Sequence, residues 1–497
     1  MLMASVPVAR IMGPEALGHY IYLIFLTGVA QRLGNVGIPA TANKYIAEYL
    51  GSDQPGVAHE IYWVTLKHQA IVATIVTSLG LLLALSVSDP EQRIVALIIV
   101  LSMWPSMINY IPSQANLAAE DIRANVPGSI AYLVIYTTGV VLTLANGWGL
   151  VGLASATCCS KTAEAAVRYR GVRLWLGKWP RVPLSFDLRR RMSTFSRQNL
   201  VLLALGLVVW DRSELLFLKQ FAGVQEVAFY SLAFSVTNQL LMAPRALSTS
   251  IGLTIFAQYG RDSTRLGDLV QNATRYVGLV AIPIFLGMAA IADPLIRVVY
   301  GERYLAVVPV LQTMSFFAIA RAFQLHSENL LQATETQGFI VKWLTLSAVA
   351  NLSLDWLLIP KYGALGAAAA NGLSQTLAVA GVWAKASSIL RIRLPLRILQ
   401  RVFFAGAALV VTVVPLGSLL PAPVALVVGI AVGVSTFGVA VRLTNCLLLE
   451  DWHRFIQLSD RIPRRFQWLF DRGLSLLFSP TVLEPAARFE SLTQRID

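Results

Sequence analysis

Three arginines, Arg32, Arg245 and Arg321, lie in the interior of long apolar stretches of the sequence. A charged side chain at the centre of a bilayer costs about 2.5–3.5 kcal/mol on insertion scales, so such residues tend to face a cavity or a partner. The guanidinium group presents a planar fork of N–H donors that matches phosphate oxygens. These arginines are therefore our candidates for binding a phosphorylated substrate in a cavity, with packing inside the protein as the alternative role for each.

Two carboxylates, Glu328 and Asp355, also lie within apolar stretches. Intramembrane carboxylates that gain and lose a proton are used in pumps and transporters as proton relays. If the cavity belongs to a transporter, Glu328 and Asp355 are the candidates for coupling its work to H⁺ or Na⁺.

Other intramembrane charges stand close to an opposite charge along the chain, which predicts local ion pairs. Residues three apart share one face of a helix, and neighbouring opposite charges near the end of a span can also pair. The candidates for such structural ion pairs are Lys161, Glu164, Asp211, Arg212 and Glu214.

The sequence lacks the common enzyme motifs, namely a Walker A loop, a His-Glu-x-x-His zinc motif and a serine-nucleophile elbow. Its five histidines show no metal-ligand spacing. Cys158, Cys159 and Cys446 fall in apolar stretches, where cysteine behaves as a small hydrophobe. We therefore predict no catalytic residue, no metal site, no cofactor and a protein that is not an enzyme.

The elements that must position these charges are membrane-spanning helices. Of the 497 residues, 56% are hydrophobic and 13% are charged, whereas about 25% are charged in a typical soluble protein. Apolar runs recur that are long enough to cross ~30 Å of hydrocarbon as helices. We predict an all-α polytopic membrane protein with apolar segments near residues 15–38, 61–88, 94–118, 128–146, 149–169, 196–220, 227–256, 269–292, 304–331, 338–359, 362–388, 402–420 and 423–447.

The basic residues are concentrated in particular loops, so the net charge of +13 indicates topology rather than nucleic-acid binding. The longest loop, residues 170–195, is rich in Arg and Lys and contains one acid, Asp187. Loops that carry excess Arg and Lys stay in the cytoplasm. The loop around Arg393 is also basic, whereas residues 146–149 carry no Lys or Arg. This alternation predicts a cytoplasmic C-terminus.

The sequence repeats itself at an offset of 210 residues (223 − 13): Gly13–Tyr20 (GPEALGHY) opens one apolar segment and Gly223–Tyr230 (GVQEVAFY) opens another. The loop charges give both copies the same orientation, so we predict two homologous bundles related as parallel repeats, an arrangement used by transporters. The predicted domains are an N-terminal bundle (1–170), a basic cytoplasmic linker (171–195), a C-terminal bundle (196–390), two additional transmembrane helices (391–449) and an amphipathic cytoplasmic tail (450–497).

Both ends of the chain differ from the predicted spans. Met1–Ala9 is too short to cross a membrane, and we expect it to be the outer end of a first helix that is largely missing. After Glu450, aromatic residues alternate with arginines, as in Trp452 and Arg454. This composition is typical of a helix that lies on an anionic membrane surface, with a solvated regulatory tail as the alternative.

Three stretches resemble signatures of bacterial polysaccharide flippases. Ala9–Tyr20 (ARIMGPEALGHY) resembles the element that follows their first helix, and Trp210–Tyr230 resembles the start of their second half. Ile359–Ala368 (IPKYGALGAA) is similar to their P.YG..GAA.A element. The family is the polysaccharide and O-antigen transporters of the multidrug/oligosaccharidyl-lipid/polysaccharide (MOP) exporter superfamily, and the resemblance extends to about residue 450.

The resemblance implies two six-helix bundles plus two C-terminal helices in a bacterial inner membrane. It implies a flippase that moves a polyprenyl-diphosphate-linked oligosaccharide from the cytoplasmic to the periplasmic leaflet by alternating access. The implied partners are that lipid-linked oligosaccharide, membrane lipids, glycan polymerase or assembly proteins and a coupling H⁺ or Na⁺, without nucleic acid. A cation-coupled drug or metabolite exporter and a lipid II flippase of the same superfamily remain the alternatives. A membrane polymerase, a ligase or a non-transporting scaffold is a more distant alternative.

Overall fold

The computed structural model describes residues 2–210, 212–249, 266–333, 337–390, 395–448 and 451–452, together with Trp468 and residues 477–478. Every regular element in this part of the chain is a helix. Seven helices are long and apolar enough to cross a membrane, or eight if the bent pair Ala9–Gly34 and Ile38–Gly51 forms one span. The prediction of an all-α polytopic membrane protein is therefore confirmed, whereas the internal repeat stays a prediction.

Contacts between residues divide the chain into two units, Met1–Ala228 and Phe229–Asp497. The helix α10 (Val224–Leu240) crosses the boundary between them. The first unit contains α1 (Leu2–Gly34), α2 (Ile38–Gly51), α3 (Pro55–Leu85), α4 (Pro90–Leu101), α5 (Met103–Ala118), α6 (Val126–Asn146), α7 (Gly149–Leu176), α8 (Phe186–Trp210) and α9 (Glu214–Phe221).

The second unit continues from α10 with a further helical stretch, residues 242–249. Its remaining helices are α11 (Leu266–Ala290), α12 (Ala292–Val299), α13 (Val307–Arg321), α14 (Gln324–Ala333), α15 (Gln337–Leu390), α16 (Leu396–Leu419) and α17 (Ala422–Leu443).

Proline marks the start of several helices. At α4 the Asp89 side chain accepts a hydrogen bond of 3.2 Å from the Glu91 N–H, and Pro90 occupies the first helical position. Proline is suited to this position because its missing N–H would have no partner within the helix and its φ is already helical. The helices α2, α3, α6 and α17 also carry a proline in their first two positions. Proline therefore helps to set where these helices begin.

Five helices contribute to one buried cluster of the first unit. Its members include Ile46 of α2, Ile61 of α3, Ile111 of α5, Val172 of α7 and Met192 of α8. Because α8 supplies part of this cluster, it is anchored to the helices that precede it in sequence. The predicted boundaries of the N-terminal bundle, linker and C-terminal bundle stay predictions.

The helix α15 is two antiparallel halves joined at Gly363, which has φ 53° and ψ −132°. Only glycine adopts this backbone conformation without strain. The halves pack closely: Trp343 Nε1 donates a hydrogen bond of 2.9 Å to the Leu377 carbonyl, and the Trp343 ring lies against Gly381. The two apolar segments predicted on either side of residues 360–361 therefore form a hairpin.

Replacing Gly381 by Ala is expected to destabilise this hairpin by about 1–3 kcal/mol, because a Cβ atom there would overlap the Trp343 ring and force it to move. Gly338→Ala is the matched control, since a Cβ at Gly338 meets no atom within 4 Å. The measurement is the thermal unfolding midpoint of each variant in detergent. Equal midpoints for the two variants would contradict the close packing described here.

A buried ion pair connects the segment after α17 to α11. Arg275 Nη1 and Nη2 each donate a hydrogen bond of 2.6 Å to the Asp451 carboxylate. The Leu448 N–H donates to the same carboxylate at 2.8 Å, and the Tyr276 hydroxyl donates to it as well. The side chains of Arg275 and Asp451 are only 1% and 0% exposed. The pair therefore holds the segment that follows α17 against α11.

Most of the tail for which we predicted an amphipathic surface helix, residues 450–497, lies outside the described residues. Two of its described aromatic residues pack against each other: the rings of Trp452 and Phe478 are 5.2 Å apart at 81°, and Phe478 is fully buried. Leu477 lies beside Gly438 of α17. These tail residues therefore contact the second unit.

Candidate functional site

Arg321, the last residue of α13, is buried in the second unit with 7% of its surface exposed. Its guanidinium carbon lies 5.4 Å from the ring centroid of Phe234 on α10. A cation over an aromatic face is attracted by the ring's negative face, and the attraction is stronger away from water. The charge is thus held inside the helical unit, at one of the positions that the sequence singles out.

A small cavity of about 20 Å³ adjoins Arg321, which is enough for one water molecule. Its polar lining also includes Thr237 of α10 and two amide side chains of α15, Asn371 and Gln375. The amides lie four residues apart on one helix face and are 6% and 3% exposed. Together these groups place a cation beside hydrogen-bond donors and acceptors, which suits a ligand that carries phosphate and hydroxyl groups.

Close helix contact brings α13 and α15 together at this point. The Phe317 ring lies directly against Gly372, where any Cβ would overlap it. Ala367, Ala368 and Ala370 are buried on the same half of α15. These small residues allow α13 and α15 to pack closely, so Asn371 and Gln375 line the same cavity as Arg321.

The candidate coupling carboxylates occupy two different environments. Asp355 is fully buried on the first half of α15 and accepts a hydrogen bond of 3.1 Å from Asn351 Nδ2. It lies eight residues before Gly363, and Asn371 lies eight residues after it. At 1.5 Å per residue both are ~12 Å from the turn, so Asp355 shares the depth of the cavity. Glu328 is partly buried on α14 and accepts a hydrogen bond of 3.1 Å from Gln324 Nε2.

Arg32 belongs to a polar group in the first unit. Its side chain is exposed in the last turn of α1, and it lies within electrostatic reach of Tyr110 on α5. Glu164 of α7 acts on the same tyrosine. Arg32 and Glu164 therefore both lie near Tyr110 in the first unit. Arg245 and Arg321 belong to the second unit.

The direct partner of Glu164 is Arg168, four residues along α7, at 2.8 Å. Arg168 Nη2 also donates a hydrogen bond of 2.9 Å to Ser129 Oγ on α6. Lys161, three residues before Glu164, interacts with it electrostatically. Sequence reasoning missed Arg168, although its i,i+4 spacing from Glu164 is the signal that identifies it.

Arg245 follows a break in the helical path. The helix α10 ends at Leu240, Leu241 is a turn residue, and helical structure resumes at residue 242. Pro244 follows this break, and Arg245 is partly buried. The helical path is therefore interrupted three residues before Pro244.

The remaining predicted pair residues lie at the start of α9. Glu214 is fully buried at the first position of this helix, and Arg212 is partly exposed just before it. Asp211 lies outside the described residues. Over the described part of the chain, the His, Cys, Asp and Glu side chains form no group suited to a metal ion.

The chain is similar to known proteins in both sequence and fold. A family model described as polysaccharide biosynthesis protein matches residues 8–309. The teichuronic acid biosynthesis protein TuaB of Bacillus subtilis is 23% identical over 26% of this chain and 27% of its own length. The succinoglycan biosynthesis transport protein ExoT of Rhizobium meliloti is 22% identical over 76% of this chain and 72% of its own.

Among solved structures, the inward closed conformation of the lipid II flippase MurJ matches with a TM-score of 0.66. The match covers 89% of this chain and 95% of that one, at 12% sequence identity. At this identity the likeness establishes the fold alone. The chain therefore has the helical membrane fold of that protein, and it spans about a quarter of the length of TuaB.

Proposed function

Because the chain belongs to the polysaccharide biosynthesis protein family, we propose that it is a flippase for a polyprenyl-diphosphate-linked oligosaccharide in a bacterial inner membrane. It moves this substrate from the cytoplasmic to the periplasmic leaflet, and no chemical bond is made or broken. The observation that carries the proposal is the buried cation of Arg321 beside two buried amide side chains, Asn371 and Gln375, within a membrane-spanning fold.

The substrate has a long apolar tail and a charged, hydrophilic head, so only the head must be shielded from hydrocarbon. Once α10, α13 and α15 move apart and enlarge the cavity, Arg321 binds the diphosphate through charge-assisted hydrogen bonds, and Asn371 and Gln375 bind glycan hydroxyl groups. The tail stays in the bilayer while the helical bundles rock about the bound head and expose it to the other side. Arg32 and Arg245 supply further contacts to the phosphates along this path.

Coupling to an ion requires a carboxylate whose affinity for H⁺ or Na⁺ changes when substrate binds. Asp355 is the stronger candidate because it is fully buried at the depth of the cavity, and Glu328 is the second. In this proposal H⁺ or Na⁺ binds the carboxylate as the substrate leaves. The C-terminus lies in the cytoplasm, and glycan polymerase or assembly proteins receive the translocated unit.

Deleting the gene is expected to trap the lipid-linked oligosaccharide in the cytoplasmic leaflet and to remove surface glycan. The leaflet can be measured by the access of a periplasmic glycan-modifying enzyme in spheroplasts, and surface glycan by antibody or lectin binding. Restoring the gene on a plasmid should reverse both effects. Unchanged surface glycan together with altered drug susceptibility would contradict the proposal and favour a drug exporter.

A further inference from the structure

The first unit contains a second pocket, of about 440 Å³, between α2, α3 and α8. Its floor is apolar, and three basic side chains line it: His68 of α3 and Arg189 and Arg197 of α8. Hydroxyl groups, including those of Thr65 and Ser193, lie between them. The pocket therefore combines an apolar surface with cationic and hydrogen-bonding groups.

The walls of this pocket are held by direct contacts between α2 and α8. The Ser196 hydroxyl donates a hydrogen bond to the Val36 carbonyl, and Gly37 allows the Ser196 carbonyl to approach closely. About two turns further along α2, the rings of Tyr45 and Phe195 meet edge to face at 5.9 Å. These contacts hold α8 against α2 and the residues just before it, on two sides of the pocket.

The two arginines of the pocket have no carboxylate partner in the part of the chain that the structure describes. Among the described residues, no carboxylate lies within 4.0 Å of the guanidinium of Arg189 or Arg197, whereas the neighbouring Arg191 pairs with Glu48 at 3.3 Å. His68 Nδ1 donates to the Val64 carbonyl at 2.7 Å, which leaves Nε2 for a ligand. The pocket therefore favours an anion.

The depth of the pocket follows from the two helices that carry its basic residues. On α3, large apolar side chains are exposed from Ile71 onward, directly after His68. On α8, Arg197 is the last charged residue before the apolar run from Leu200 to Trp210. Both helices thus place the pocket where hydrocarbon meets the headgroup layer, at the end of the protein that the positive-inside rule assigns to the cytoplasm.

We propose that this pocket binds an anionic glycerophospholipid of the cytoplasmic leaflet. Its phosphate contacts Arg189 and Arg197, while the glycerol and the first acyl carbons cover the apolar floor. Basic pockets between helices on the cytoplasmic side are suited to such headgroups. A bound lipid would bridge α8 to α2 and α3, so it stabilises this corner of the first unit independently of the transported substrate.

The test is a titration of the purified protein in neutral detergent with short-chain phosphatidylglycerol, with phosphatidylcholine as the reference lipid. The readout is the lipid concentration that gives a half-maximal rise in the thermal unfolding midpoint. The double variant Arg189→Gln/Arg197→Gln is expected to need about 10- to 30-fold more phosphatidylglycerol. Ser193→Phe fills the pocket without changing its charge and is expected to abolish the effect.

Matched controls leave the pocket intact. Arg170→Gln/Arg173→Gln removes the same charge from exposed positions of α7, and Thr194→Phe adds the same ring beside the pocket. Both should titrate like the unmodified protein. Equal weakening in pocket and control variants overturns the proposal. Saturation by inorganic phosphate alone overturns the assignment to a lipid, and preferential binding of a polyprenyl phosphate assigns the pocket to the substrate instead.

Discussion

Replacing Asp451 by Ala is expected to lower the free energy of unfolding by about 3–5 kcal/mol, because it strands a buried guanidinium. Arg275 is 1% exposed and directs two hydrogen bonds to this carboxylate. The variant also removes the acceptor of the Leu448 N–H and the Tyr276 hydroxyl. The measurement is denaturant or thermal unfolding of the purified protein, and the loss should appear as a lower midpoint.

The matched control is Asp293→Ala, which breaks another arginine–aspartate pair of the second unit. Arg297 and Asp293 are 2.9 Å apart, with side chains 36% and 41% exposed. Solvent screens such a pair, so its loss should cost no more than about 1 kcal/mol. Replacing both members of the buried pair, as Arg275→Met/Asp451→Leu, should recover much of the loss. If Asp451→Ala and Asp293→Ala lowered the free energy of unfolding by similar amounts, burial would not be what makes the Arg275–Asp451 pair strong.

Replacing Arg321 by Ala is expected to reduce translocation by about 100-fold. Hydrogen bonds to a charged group are worth about 1.5–3 kcal/mol each, and one or two to the diphosphate would be lost. Arg321→Lys should retain part of the activity, because lysine keeps the charge but not the planar fork. The measurement is the flipping rate of a labelled lipid-linked oligosaccharide in proteoliposomes, with the amount of folded protein made equal.

Arg303→Ala is the control for charge, since Arg303 is exposed in the same unit. Unfolding midpoints for Arg321→Ala and Arg321→Gln separate lost binding from lost folding. The same pair of substitutions, Ala and Lys, applies at Arg32 and Arg245. Full activity of all three alanine variants would contradict the proposal that these arginines bind the diphosphate.

The features predictable from sequence are those set by neighbours along the chain. Long apolar runs identify the helices, and the glycine at position 363 marks the α15 turn because it alone tolerates that backbone conformation. Arg321 can be identified as a candidate site residue because a charge within an apolar run tends to face a cavity or a partner. These inferences use local sequence alone, and the structure places Arg321 beside a small cavity that Asn371 and Gln375 also line.

Features that depend on distant residues could not be predicted. The pair Arg275–Asp451 spans 176 residues, and no local pattern connects its members. Similarly, the cavity beside Arg321 needs Asn371 and Gln375 from another helix, and polar amides in an apolar run look alike until the helices are packed.

The Arg275–Asp451 pair also sets an order for the protein's synthesis. Ribosomes add about 5–20 residues per second, so α11 enters the membrane about 9–35 s before Asp451, 176 residues later, is made. During that interval Arg275 lacks the carboxylate of Asp451. A chain that stops between α17 and residue 451 would never form this pair, so α11 acquires its buried ion pair only after α17 has been made.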